Sequence, residues 1–259
     1  CINKEFFLLY IIDTIIRECY FHIFIVQYYK WALHILVRGL KPNVTIDLHA
    51  FEVTRGNFKT IYFMRHAESN AQICRKREID SPSLFDCYIS RLGVIQAKSA
   101  WSDKNNLPEL IVVSPLTRAI QTAIIAFDNI DIPIICHPYL KEVGGSKLPE
   151  NHFRGIVNLL NDKNLQNYSL FDKIDLSLIT PEWSNSYEAN NAPRKVTYLS
   201  DKLLKWLLER PEKRILCVTH YNVIKNILGG VGEINNTKIF TCLLYEDIYD
   251  NSVKIDLIN

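Results

Sequence analysis

Two histidines and two arginines stand where short apolar runs end. TIYFM (60–64) runs into Arg65 and His66, and LIVVS (110–114) into Pro115, with Arg118 one helical turn further on. RILCVT (214–219) runs into His220, and PIIC (133–136) is followed by Glu142 in PYLKEVGG. If these runs are strands of a parallel sheet, their carboxyl ends share one rim and the residues meet there. Singly, each has a plainer explanation as a loop histidine or a solvated charge. Together they suit phosphoryl transfer. Arginine's planar fork binds phosphate oxygens bidentately and stays charged at any working pH. A neutral imidazole, with a pKa of about 6.5, offers a free ring nitrogen as nucleophile. Attack on phosphorus builds charge on the equatorial oxygens, which two arginines and a protonated His220 are expected to stabilise without a metal. The leaving alkoxide then needs a proton, and Glu142 is the candidate acid.

The elements that must place these groups follow from pattern. Buried strands at 60–64, 110–114, 133–136 and 214–219 alternate with helical stretches, which predicts an α/β fold. Its sheet is expected to be mostly parallel and flanked by helices on both faces. Ser90 is expected to cap a helix through GVIQAKSAWSDK, with Gly93 tolerated near its start. Pro115 reads as the first position of the helix LTRAIQTAIIAF. Residues 143–190, rich in Asn, Ser and Leu, read as an insertion with short helices. VTYLSDKLLKWLLER (196–210) is amphipathic, with Leu199, Leu203, Trp206 and Leu207 on one face. YNVIKNIL follows as a short helix stopped by Gly229, and TKIFTCLLY and SVKIDLI as an edge hairpin around Asp250-Asn251.

Composition bounds the rest. The 259 residues hold 30 Lys and Arg against 28 Asp and Glu, a net charge of +2 that gives no nucleic-acid footprint. Seven cysteines without a C-x-x-C spacing read as buried free thiols in a reducing compartment, not as zinc ligands. A cytoplasmic location is expected. Residues 1–58 are apolar but broken by Asp13, Arg17, Glu18, His22, Gln27 and Lys30, too interrupted for a clean membrane span. They are set apart as an N-terminal extension of uncertain status: a poor anchor, a signal remnant, an amphipathic helix or a mis-assigned gene start. The sole methionine at position 64 and the initial Cys1 prompt the last of these. The domain proper is expected over 59–259.

The residues from Thr60 onward resemble the histidine phosphatase superfamily, in its phosphoglycerate-mutase-like branch. IYFMRHAESNAQ is similar to the R-H-G/A-E-S signature, and DCYISRLGVIQAKSA to D-x-x-L-T-x-x-G-x-x-Q-A. PELIVVSPLTRAIQTA resembles the strand followed by S-P-L-x-R-A-x-Q-T-A, LKEVGG the L-x-E segment, and RPEKRILCVTHYNVIKNIL the closing strand and T/S-H-G-x-x-I/L. Five ordered blocks cover residues 59 to about 230. FDKIDLSLITPEW (171–183) resembles the plant and fungal branch.

The resemblance implies a metal-independent phosphomonoesterase in which His66 becomes phosphohistidine. It implies that Arg65, Arg118 and His220 hold the phosphoryl group, and that Glu142 protonates the leaving group and then activates water. Ser69 would lie beside the phosphate, with Asn70, Gln72, Tyr221 and Asn222 as further substrate contacts. Gln72 stands where the family usually has Asn, and Tyr221 replaces the Gly after the second His. The expected substrate is a phosphorylated small molecule rather than a protein, with no nucleic-acid partner. No cofactor is implied, save 2,3-bisphosphoglycerate in the alternative of a phosphoglycerate mutase. A third alternative, from another class, is a non-catalytic binding protein on the same fold. The run Arg75-Lys76-Arg77 reads first as a solvated loop, and otherwise as a steering patch for an anionic substrate.

Overall fold

Alternate residues along the first strand enter opposite cores, and that alternation sets the architecture. The computed structural model describes residues 58–77, 84–103, 106–144, 148–191, 197–247 and 250–258. All but the last residue of the 1–58 extension lies outside them. β1 spans Phe58–Arg65. Its Tyr62 and Met64 join one cluster of buried apolar side chains, and its Ile61 and Phe63 the other. A strand buried on both faces has no use for polar alternation, hence the near-continuous run IYFM.

The remaining strands are β2 (Leu110–Val113), β3 (Ile134–Cys136), β4 (Ile174–Asp175), β5 (Arg214–Thr219), β6 (Ile239–Glu246) and β7 (Val253–Leu257). Among the described residues they form one sheet in the order β4-β3-β2-β5-β1-β6-β7. Every pairing from β4 across to β1 is parallel, and β6 and β7 pair antiparallel. The expected hairpin is thus present, but of its two strands only β7 is at the edge of the sheet, because β6 lies against β1. The parallel strands end together, and the sites at 65–66, 114 and 220 share one rim.

Nine helices, counted among the described residues, complete the fold. α1 (Asn70–Lys76), α2 (Arg91–Ser99) and α3 (Thr117–Ala126) follow the first two strands. α4 (Ile156–Leu160), α5 (Lys163–Gln166), α6 (Pro181–Ser184) and α7 (Tyr187–Asn190) are the short helices of the insertion, which also supplies β4. α8 (Thr197–Glu209) and α9 (Tyr221–Leu228) close the series. α3 packs on one face of the sheet, with Ala119, Ile120, Ala123 and Ile124 against Ile111 and Leu216. On the other, Leu203, Leu207, Val223 and Ile224 of α8 and α9 meet Val112 and Cys217. No helix among the described residues is long and apolar enough to cross a membrane.

Two helix limits differ from the sequence expectation. α2 ends at Ser99 because Trp101 turns into the core, edge-on to Tyr62 at 5.1 Å, its indole N–H donating to the Asp103 carbonyl. α3 begins at Thr117, so Pro115 precedes even the N-cap Leu116. Ser114 is still tied to the sheet, donating its N–H to Val218 O at 3.0 Å, and Pro115 makes the turn between them. Leu116 offers no capping oxygen. Asp86 does so from a distance, accepting the Thr117 N–H at 2.8 Å and its hydroxyl at 2.9 Å.

Candidate active site

The nucleophile candidate leaves the sheet immediately after β1, where the His66 N–H donates to Thr219 O of β5 at 2.9 Å. Its ring is fixed from both sides. Nδ1 lies 2.7 Å from the Ala67 carbonyl, which can only accept, so Nδ1 carries the proton. Nε2 accepts from Arg118 Nε at 3.1 Å, because a guanidinium can only donate. The lone pair is therefore on Nε2. Burial, Arg118 and Arg65 together hold His66 well below the usual imidazole pKa, so it is neutral at pH 7.

The loop that follows is held by polar side chains from two helices. The Ala67 N–H donates to Thr122 Oγ1 (3.0 Å), and the Glu68 N–H to Gln96 Oε1 (2.8 Å). Ser69 then caps α1 in a capping box with Gln72. That box decides which amide faces the site. Residue 72 folds back over the N-cap and lines the cavity, whereas Asn70, the first helical residue, is exposed and does not. Gln72 also exchanges hydrogen bonds with Asn236, at 3.0 and 3.1 Å, and Asn236 donates to the His66 carbonyl at 2.7 Å.

Arg118 sits in the first turn of α3, fully enclosed. Besides His66, it donates to the Glu150 carbonyl and to Asn151 Oδ1 (3.0 Å). Arg65 donates through Nη1 to Ile234 O (2.8 Å) and lies over the Tyr221 ring, 5.5 Å from its centroid. Glu142 follows the 3₁₀ turn Pro138–Leu140, with Oε1 accepting the Val143 N–H at 2.9 Å. Asn222 Nδ2 steadies that loop by donating to Val143 O, also at 2.9 Å. Burial pushes the Glu142 carboxyl pKa up against the pull of Arg118.

A cavity of about 220 Å³ gathers Arg65, His66, Ser69, Gln72, Arg118, Glu142, Tyr221 and Asn222 on its walls. His220 is not on the wall. Fully buried, it lies beside His66, ring centroids 5.0 Å apart, with Nε2 2.7 Å from Ser114 Oγ. The expectation of a protonated His220 is corrected: burial, with Arg118 and His66 beside it, drives its pKa well below the usual value. The positive field is that of the arginines. Arg65 Nε and His220 Nδ1 are buried without a protein partner among the described residues, as groups awaiting an anion would be.

The basic run is not a loop. Arg75 and Lys76 end α1 and Arg77 caps it; Lys76 pairs with Glu68, and Arg75 lines the cavity, paired with Glu150. Glu150, Asn151 and Asn236 are site residues that the sequence did not single out. Gln96 and Thr122 stand within the motif blocks, and a polar letter on an otherwise apolar helix face was the available signal.

A family model described as histidine phosphatase superfamily (branch 1) matches residues 61–244. The chain is 26% identical over 202 residues to the phosphoglycerate mutase-like protein 1 of Arabidopsis thaliana, covering 67% of this chain and 72% of that one. A further Arabidopsis thaliana phosphoglycerate mutase-like protein is 25% identical over 210 residues, covering 68% and 75%. Among solved structures, the α-ribazole phosphatase from Shigella flexneri aligns with a TM-score of 0.48 at 18% identity, over 77% of this chain and 96% of that one. A mycobacterial glucosyl-3-phosphoglycerate phosphatase aligns with a TM-score of 0.48 at 18% identity, over 78% and 98%.

Proposed function

Because the chain belongs to the histidine phosphatase superfamily, we propose that it is a phosphomonoesterase working through a phosphohistidine at His66. The observation that carries this reading is the ring of His66, neutral, with its proton on Nδ1 and the lone pair on Nε2. A phosphate ester entering the cavity draws the Arg118 Nε–H from Nε2 onto a phosphoryl oxygen and frees the nucleophile. Arg65 Nε and the Nδ1–H of His220 supply further donors, with the Ser114 hydroxyl donating a hydrogen bond to His220 Nε2.

Nε2 then forms a bond to phosphorus as the ester P–O bond breaks, and the alkoxide takes the proton of Glu142. In the second half, water attacks the phosphohistidine, Glu142 accepts the proton it loses, and the P–N bond breaks. Inorganic phosphate departs, leaving His66 neutral and Glu142 protonated as at the start. The raised pKa of Glu142 suits a group that must begin as an acid.

The test is turnover of p-nitrophenyl phosphate by the full chain, with and without EDTA, beside His66→Ala. Turnover is expected to be insensitive to EDTA and abolished by the substitution. Undiminished activity in His66→Ala would overturn the mechanism.

A further inference from the structure

Glu150 touches two arginines of the cavity in different ways. Its main-chain carbonyl accepts from Arg118, while its carboxylate pairs with Arg75. The carboxylate is 5% exposed and the Arg75 side chain 49%, and both residues line the cavity with His66 and Glu142. A fixed negative charge in a cavity built for an anion is a repulsive element, and repulsion is a means of choosing among substrates.

We propose that Glu150, by cancelling Arg75, restricts the site to phosphomonoesters whose leaving group carries no second negative charge. This rests on the phosphatase reading and names its substrate class. Arg65 and Arg118 match a phosphoryl dianion in charge. Arg75, on the rim side of the same cavity, would otherwise attract a carboxylate or a second phosphate on the leaving group. To use it, such a substrate must displace the Glu150 carboxylate, which is then buried, unpaired and next to a new anion. A neutral alcohol leaves the pair undisturbed.

Glycerol 3-phosphate and 3-phosphoglycerate test this, since they share a skeleton and differ in a neutral hydroxymethyl group against a carboxylate. kcat/KM for each is measured in the full chain, in Glu150→Gln and in the Glu150→Gln/Arg75→Gln double variant. The unsubstituted protein is expected to favour glycerol 3-phosphate by about tenfold or more. Glu150→Gln should narrow that ratio about tenfold, mostly through KM for 3-phosphoglycerate, and adding Arg75→Gln should restore it. Arg75→Gln alone, which leaves Glu150 uncancelled, should widen the ratio, and it serves if Glu150→Gln does not fold. An equal preference in the unsubstituted protein, or a ratio unmoved by these substitutions, overturns the proposal. If the unsubstituted protein hydrolyses no phosphate ester, the phosphatase reading falls. The ratio of the two affinities, read by calorimetry on the same proteins, then decides this proposal by the same criteria.

Discussion

At the scale of single residues, His66 and Glu142 are moved in opposite directions by one physical cause. Burial disfavours the charged form of each, so the imidazole is neutral to lower pH and the carboxyl protonated to higher pH than in water. The proposed hydrolysis needs both uncharged. kcat/KM is therefore expected to fall on the acid side as His66 protonates, below its ordinary 6.5, and on the basic side as Glu142 ionises, above its ordinary 4.5. Glu142→Gln should remove the basic limb and cost about 10²–10⁴-fold with alkyl phosphates. The cost should be smaller with p-nitrophenyl phosphate, whose leaving group needs no proton; equal losses with both would show that Glu142 is no acid. The histidines, arginines and Glu142 were legible because each follows an apolar run whose end defines the rim. Asn70 stands off the cavity wall because sequence proximity to His66 says nothing of helical phase, which the Ser69 cap sets. Glu150 and Asn236 carry no local signature, reaching the site only through tertiary folding.

Among the elements, α2 shows how closely a helix can be required to approach the loop that follows His66. A Cβ built on Gly93 would lie 2.3 Å from the Glu68 carbonyl oxygen, the same oxygen that accepts the Ser90 N–H at 2.7 Å. A glycine that the sequence marks as tolerated is thus one that the packing demands. Gly93→Ala is expected to destabilise by about 2 kcal/mol or more despite alanine's better helix propensity. The measurement is a urea midpoint at unchanged slope, and a stabilised variant would mean the contact is absent. α2, α3, α8 and α9 are readable from caps and periodicity, whereas α1 is not: its basic end, Arg75-Lys76-Arg77, reads from the sequence as a solvated loop. The early end of α2 was not, because it depends on where Trp101 finds its pocket, nor was the start of α3, because its capping carboxylate is borrowed from Asp86.

Over the whole molecule, buried neutral histidines make acid a threat to folding. His137 is packed against Tyr139 and Trp206, and burial lowers its pKa to about 4. Its unfolded value is higher, so between about 6.5 and 4 the unfolded chain binds the extra proton and stability falls as pH falls. The loss from this residue is roughly 3 kcal/mol across that window. His66 and His220 act in the same direction, whereas the raised carboxyls of Glu142 and Asp86 act against it. His137→Asn keeps an acceptor for the Tyr139 N–H but cannot titrate. Its Tm should therefore decline less between pH 6.5 and 4 than that of the unsubstituted protein; an identical decline would contradict the assignment.

The strand order has a consequence in time. Among the described residues β1 comes first of the strands, yet its two neighbours, β5 and β6, are the fifth and sixth. Arg65 pairs with Thr219, a separation of roughly 150 residues. At synthesis rates of about 5–20 residues per second, the ribosome takes roughly 8–30 s to deliver β5 after β1 has been made. For that interval Ile61, Tyr62, Phe63 and Met64 form an apolar strand with neither partner yet in existence. Arg65 and His66, at the end of that strand, are written early and assembled late, and the unpaired apolar strand is exposed to aggregation for as long as β5 is awaited.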